Sequence, residues 1–321
     1  VGELEKEPVK KELNLFLGYT CNNNCWFCSE MANKGKPDKT SEEVKRELNE
    51  ARRNGVQRIT FTGGEPTIRK DIIELVRYAK ALGFEEIFII TNGRMLYYKE
   101  LARKLSEAGL THILFSLHSP KEKTHDFLTR SPGSFKQTVQ GIKNTVEVGG
   151  IIVENNAVIT KKNYKQLPEL AKLLVKLGVD FYEFIFLNPI TINSFFKDRF
   201  EEFVPKISEI SEYVHRAIDV GRESNVWCTA EGIPFCYMNG YEKHVTELYM
   251  APERIIIGPG GRYVPDVNKS RREHGKVKAG CCAECKFNSL CEGVWGHYAE
   301  HYGVGELKPV MSGEVREQHE F

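Results

Sequence analysis

The sequence predicts an α/β chain in which short buried strands alternate with amphipathic helices and lie parallel in one sheet. Two observations carry this. Between residue 12 and about 190, six short apolar runs are separated by stretches whose apolar residues recur with helical spacing. Four of those stretches close on a glycine, at Gly55, Gly83, Gly109 and Gly178, the residue suited to the left-handed turn after a helix.

The predicted strands are residues 13–17, 58–62, 86–91, 112–117, 151–160 and 181–187. After the first, Ser41 and the two glutamates behind it mark a helix N-cap, and Val44, Leu48 and Ala51 form that helix's apolar stripe. Ile72, Leu75, Val76, Ala79 and Leu82 make the next stripe, at i, i+3, i+4, i+7 and i+10. Leu101, Leu105 and Ala108 follow the third strand, and Leu167, Leu170, Ala171, Leu174 and Leu177 follow the fifth. One more helix is expected over about 205–223. These stripes are core faces rather than binding sites.

With 321 residues, 41% of them hydrophobic, the chain can bury a substantial core. Lys and Arg total 45 against 44 Asp and Glu, a net charge of +1, so nothing points to a nucleic-acid partner. No apolar run of 18 residues and no export signal stands out, which leads us to expect a cytoplasmic protein with no membrane span. Nine cysteines in such a chain read as metal ligands rather than disulfides.

Three of them, Cys21, Cys25 and Cys28, stand in Cys-Asn-Asn-Asn-Cys-Trp-Phe-Cys directly after the first strand. Three thiolates on one tight loop can hold three corners of a cubane iron–sulfur cluster, leaving the fourth iron open. A structural zinc loop needs a fourth ligand close by, for which Glu30 is the candidate in the loop. The second strand runs into Gly63-Gly64-Glu65-Pro66. Paired glycines at a strand end let the backbone approach a ligand, and the carboxylate can bind an ammonium group.

The cysteine triplet and Gly-Gly-Glu-Pro, at this distance apart, resemble the radical S-adenosylmethionine (SAM) superfamily. The resemblance implies an open, partial (β/α)6 barrel over residues 1–225. It also implies a [4Fe-4S] cluster on Cys21, Cys25 and Cys28 whose open iron is chelated by SAM. A reductant such as ferredoxin or flavodoxin would supply one electron, SAM would be cleaved to methionine and a 5′-deoxyadenosyl radical, and the radical would take a hydrogen atom from the substrate. By position, Phe27 would lie against the adenine, Gly64 and Glu65 would hold the methionine amine with Gly63 beside them in the cofactor site, and Ser116 would contact SAM. Asn92, after the third strand, is a further candidate SAM contact; Asn156, inside the fifth strand, and Asn188, after the sixth, are candidates to touch ribose or adenine, with a satisfied polar group at a strand end as the alternative; Trp26 has no assigned role. His118 and Arg130, on the loop region after the fourth strand, are the candidate substrate or catalytic contacts, with His125 and Asp126 explained as well by ordinary polar contacts.

Six further cysteines follow residue 225. Cys282-Ala-Glu-Cys285 and Cys291 give C-x2-C-x5-C, which resembles part of the auxiliary-cluster domains called SPASM and twitch. Trp295 and Asp266 stand where the full SPASM pattern has cysteines, so the resemblance implies one auxiliary [4Fe-4S] cluster in a small domain over residues 226–321. Cys236 is the first choice of fourth ligand, because it precedes the hairpin that Gly260-Gly261 suggests; Cys281, Cys228 or an open iron are alternatives, and a zinc knuckle is the rival. We expect an oxidoreductase or maturase acting on a peptide, protein or small molecule. A second reading is the molybdopterin-pathway enzyme that rearranges GTP. That family has a longer gap before its last cysteine, an arginine-rich nucleotide site and a Gly-Gly C-terminus, whereas this sequence ends His-Glu-Phe. A non-catalytic iron–sulfur or zinc-binding protein is the third.

Overall fold

A computed structural model describes residues 11–311. The terminal His-Glu-Phe lies outside them. In chain order the elements are β1 (Glu12–Phe16), α1 (Ser41–Arg53), β2 (Arg58–Thr62), α2 (Ile72–Ala81), β3 (Glu86–Thr91), α3 (Lys99–Ala108), β4 (His112–Phe115), α4 (Glu122–Thr129), α5 (Ser134–Val148), β5 (Ile152–Ile159), α6 (Leu167–Leu177), β6 (Phe181–Phe186), α7 (Ile190–Phe195), α8 (Phe200–Phe203), α9 (Ile207–Ser224), β7 (Trp227–Glu231), β8 (Arg254–Gly258), β9 (Arg262–Val264), α10 (Val267–Ser270), β10 (Lys276–Val277), β11 (Val294–Trp295) and α11 (Gly296–Tyr302).

β1 to β6 pair in sequence order, each parallel to the next, as the alternation of strand and helix requires. The sheet does not stop at six strands. β7 adds in parallel to β6, β8 adds in parallel to β1, and β9 turns back on β8 as an antiparallel hairpin through Pro259–Gly261, giving the order β7-β6-β5-β4-β3-β2-β1-β8-β9. The result is an open, partial barrel, and two strands beyond residue 225 border it directly. A separate antiparallel pair, β10 and β11, belongs to the cysteine-rich region.

The stripes read from the sequence are the buried faces: Val44, Leu48 and Ala51 on α1, Leu75, Val76 and Ala79 on α2, and Leu170, Ala171 and Leu174 on α6 are all buried. Fully burying one such leucine stabilises the fold by about 1.5–3 kcal/mol. Thr40, not Ser41, is the N-cap of α1: its hydroxyl accepts from the Glu43 amide at 3.2 Å while the Glu43 carboxylate accepts from the Thr40 amide at 2.7 Å. That reciprocal pair needs a carboxylate three residues on, and Ser41 instead donates to Asp71 Oδ2 at 2.6 Å, joining α1 to α2. Among the described residues no helix is long and apolar enough to cross a membrane.

Candidate active site

The cysteine loop leaves β1 and is locked to the turn after β2 by backbone alone. The Gly64 amide donates to the Gly18 carbonyl at 2.8 Å and the Glu65 amide to the Thr20 carbonyl at 2.9 Å. Gly63 has φ +115°, and a Cβ there would meet the Gly18 carbonyl oxygen at 2.4 Å; one on Gly64 would meet the Thr20 carbonyl oxygen at 2.1 Å. The glycine pair is therefore needed where two loops touch, a tighter requirement than the ligand approach expected from the sequence.

Around its rim the loop is held by many short contacts. Asn24 and Trp26 donate backbone amides to Thr129 and Leu128 at the end of α4, Thr191 Oγ1 donates to the Cys28 carbonyl at 2.8 Å, and Asn92 Nδ2 donates to Asn22 Oδ1 at 2.7 Å. Arg94 donates to the Asn22 carbonyl and to Asn23 Oδ1. Glu30 accepts from Arg262 Nη1 at 2.8 Å, which joins the loop to the β8–β9 hairpin and uses Glu30 for an ion pair rather than as the fourth ligand of a zinc loop.

Burial pushes the thiols of Cys21, Cys25 and Cys28 up, and for Cys21 and Cys25 neighbouring cysteines of the loop add to it. Thiolates so placed are stable only beside bound cationic charge, which fits an iron–sulfur group. Among the described residues no group of three or more Cys, His, Asp or Glu side chains is arranged to hold a single metal ion.

The three cysteines open on a cavity of about 320 Å³ at the C-terminal ends of the strands, lined also by Phe27, Gly63, Gly64, Glu65, Asn92, Ser116, His118, Asn156 and Asn188. Nine site residues foreseen from the sequence thus share one chamber with the cysteines, but the roles divide. Glu65 Oε1 accepts from the Thr67 amide and from the hydroxyls of Thr67 and Thr91, and Oε2 accepts from the Asn92 amide at 2.7 Å. Burial nonetheless raises its pKa, and only Oε2 keeps a spare lone pair for a ligand. Asn92 points its amide at the cysteine loop. Ser116 Oγ donates to Asn156 Oδ1 at 3.1 Å, and Asn188 Oδ1 accepts from the Ile190 amide at 3.2 Å.

His118 is buried with its ring edge-on to Phe27, centroids 4.9 Å apart. Its Nδ1 accepts from the Val158 amide, which places the proton on Nε2. Burial, then the adjacent His125, hold its pKa well below the usual value, so His118 sits neutral in the chamber wall. His125 accepts from the His118 amide and is lowered by burial to about 3; Asp126 accepts from the Gly133 and Phe135 amides and caps α5. Arg130 departs from the expectation: it takes a left-handed conformation at the end of α4 and lays its guanidinium 4.3 Å from the Trp26 ring, outside the chamber.

The later cysteines gather separately. Cys236, Cys282, Cys285 and Cys291 line one small void with Pro234, Phe235 and Leu307. Burial first, and then Cys291, Cys282 and Cys285, push the Cys236 thiol up to about 11, so the four thiols lie close enough to act on one another. Cys281 is exposed with its thiol toward the Leu307 carbonyl, and Cys228 is buried in β7. Between this group and the chamber, Arg271 is held by Glu231, Glu247 and Glu292; Glu231 lies beside Ile185, a chamber residue, in the sheet register. Neither Arg271 nor the anchors Thr191, Arg94 and Arg262 carries a sequence pattern that marks it.

The sequence profile of the Radical SAM superfamily matches residues 15–174. A probable GTP 3',8-cyclase of Saccharolobus solfataricus is 34% identical over 205 residues, 62% of this chain and 66% of that protein. One from Saccharolobus islandicus (strain M.14.25 / Kamchatka #1) is 33% identical over 297 residues, 90% of this chain and 89% of that protein. Among solved structures, Streptococcus suis SuiB bound to S-adenosylmethionine superposes with a TM-score of 0.64 at 22% identity, covering 89% of this chain and 72% of that one. Native anSMEcpe with bound AdoMet and Kp18Cys peptide gives 0.62 at 14%, covering 88% and 89%. At these identities the structural likeness speaks for the fold alone. The matched profile, the relative that spans nine-tenths of both chains and the cysteine-lined chamber agree: the chain belongs to the radical SAM superfamily and is a radical SAM enzyme that uses a [4Fe-4S] cluster and SAM.

Proposed function

We propose that this enzyme carries out a nucleotide cyclisation of the kind named for its relatives, acting on GTP. What carries the reading is the 33% identity to a probable GTP 3',8-cyclase, which runs over 297 residues and so is not limited to the SAM-binding half. Cys21, Cys25 and Cys28 would hold the cluster that binds SAM, and Cys236, Cys282, Cys285 and Cys291 an auxiliary [4Fe-4S] cluster. When bound, cluster and SAM supply a 5′-deoxyadenosyl radical that abstracts hydrogen. The chain's own share is positioning: Phe27, held by His118, offers a flat face for the adenine, and Glu65 Oε2 with the Gly63-Gly64 backbone faces the methionine end.

A second reading, oxidation of a peptide, protein or small molecule with the auxiliary cluster as electron acceptor, has its own support. Cys236 completes four thiols around the auxiliary void, and among the described residues no Arg or Lys lines the chamber to meet a triphosphate. Arg271, at the β7 edge, is already committed to three carboxylates.

A bond between the 3′ and 8 positions of GTP requires loss of the 3′ hydrogen. GTP deuterated at the 3′ carbon should therefore pass deuterium to 5′-deoxyadenosine in the reduced, SAM-loaded enzyme. Turnover of SAM with no deuterium transfer, and no GTP consumed, would turn the assignment to the second reading.

A further inference from the structure

Trp26 has no task in the chemistry of the cysteine motif. It stands between Cys25 and Phe27, and its ring turns outward, edge-on to Phe196 at 5.0 Å and tilted against Phe203 at 5.3 Å. Two guanidinium groups, Arg130 and Arg199, each lie 4.3 Å from its ring centroid. Stacking of this kind is electrostatic attraction to the face of the ring and favours arginine.

We propose that this outer face of the cysteine loop is the docking site of an acidic one-electron carrier protein that reduces the cluster. The inference rests on the assignment of Cys21, Cys25 and Cys28 as cluster ligands. The chamber side of those cysteines belongs to SAM and substrate, so a protein donor must come from the opposite side, where Trp26 lies. That surface is cationic. Arg130 is exposed, and Lys34 bonds to Asn24 Oδ1 at 2.5 Å, while the Asn24 amide meets the carbonyl of Thr129, next to Arg130. Among the described residues no carboxylate pairs with Arg130 or Lys34, and Arg199 shares the single Glu202 with Lys162. Aromatic surface lies within the same patch: Phe127, 39% exposed, is 6.1 Å from Trp26, and Phe195, 50% exposed, adjoins Phe196. Arginine and aromatic residues are enriched in protein interfaces, and a cationic patch steers an acidic partner to the point where its electron is needed.

The test compares two electron sources on the reconstituted enzyme: reduced flavodoxin, an acidic protein, and reduced methyl viologen, a small cation that needs no docking surface. The Arg130→Gln/Arg199→Gln variant should form 5′-deoxyadenosine at least about tenfold more slowly than wild type with limiting flavodoxin, yet within about twofold of wild type with methyl viologen. Arg130→Lys/Arg199→Lys should recover most of the flavodoxin rate. As a measurement that needs no variant, the wild-type flavodoxin rate should fall with salt while the viologen rate holds. Equal rates of variant and wild type with flavodoxin, or equal losses with both reductants, would overturn the docking site. Wild-type enzyme that cleaves no SAM even with methyl viologen would instead remove the cluster assignment beneath it.

Discussion

Gly64 and Thr20 meet backbone to backbone, so closely that a Cβ on the glycine would lie 2.1 Å from the threonine carbonyl oxygen. The contact makes the Gly-Gly-Glu-Pro turn part of the cysteine loop's support. Gly64→Ala should push the loop away from β2 and spoil the first cluster site while leaving the later cysteines alone. Iron per chain after anaerobic reconstitution should fall from about eight to about four; a full complement of iron in the variant would contradict the contact's importance.

Glu65 has four donors on its two oxygens. In Glu65→Gln an amide NH2 must face at least one of those donors, and the ionised partner for an ammonium group is lost. Charge-assisted hydrogen bonds contribute about 1.5–3 kcal/mol, so SAM should bind about ten- to a hundredfold more weakly. Equilibrium dialysis of SAM against variant protein with matched iron content measures it, and an unchanged affinity would reduce Glu65 to a turn-former.

Glu154 projects from β5, and burial raises its pKa to about 7, opposed by the Arg58 charge. A carboxyl raised on folding keeps its proton longer in the folded chain. Its contribution to stability is therefore complete below about pH 4.5, its ordinary value, and is lost as pH rises through about 7. Glu154→Gln keeps the neutral form at every pH, so its unfolding free energy, measured by chemical denaturation, should gain on wild type between pH 5 and pH 8, by an amount on the order of 2 kcal/mol. Parallel curves for the two proteins would remove Glu154 as a titrating group.

The auxiliary site turns on Cys236, which reaches Cys282, Cys285 and Cys291 across more than forty residues of chain. Cys236→Ala should alter the spectrum of the auxiliary cluster, best seen when Cys21, Cys25 and Cys28 are also alanine and only about four irons remain. An unaltered spectrum would point to another ligand, and zinc in place of that iron would refute the cluster itself.

Much of the fold was legible because parallel strands buried on both faces read as apolar runs and their helices as stripes. Residues 58–62 and 86–91 match β2 and β3 residue for residue. β7 was missed because Trp227–Glu231 mixes charged, polar and apolar residues with no clean period; the β8–β9 turn was marked by Gly260-Gly261, but only the free edges of the sheet decide that β7 adds to β6 and β8 to β1. The site shows the same division. Cysteines and glycines at fixed spacing announce themselves, since few other residues do their work. Arg130 misled because its place depends on a left-handed turn at the end of α4 that carries the side chain out to Trp26. Arg262 was invisible because its partner Glu30 lies 232 residues away.

The most direct test of the account is whether the chamber at Cys21, Cys25 and Cys28 generates the radical. Reduced wild-type protein with SAM should produce 5′-deoxyadenosine and methionine, and the variant with all three cysteines replaced by alanine should produce neither while retaining its auxiliary iron. Undiminished 5′-deoxyadenosine from that triple variant would contradict the assignment of the site.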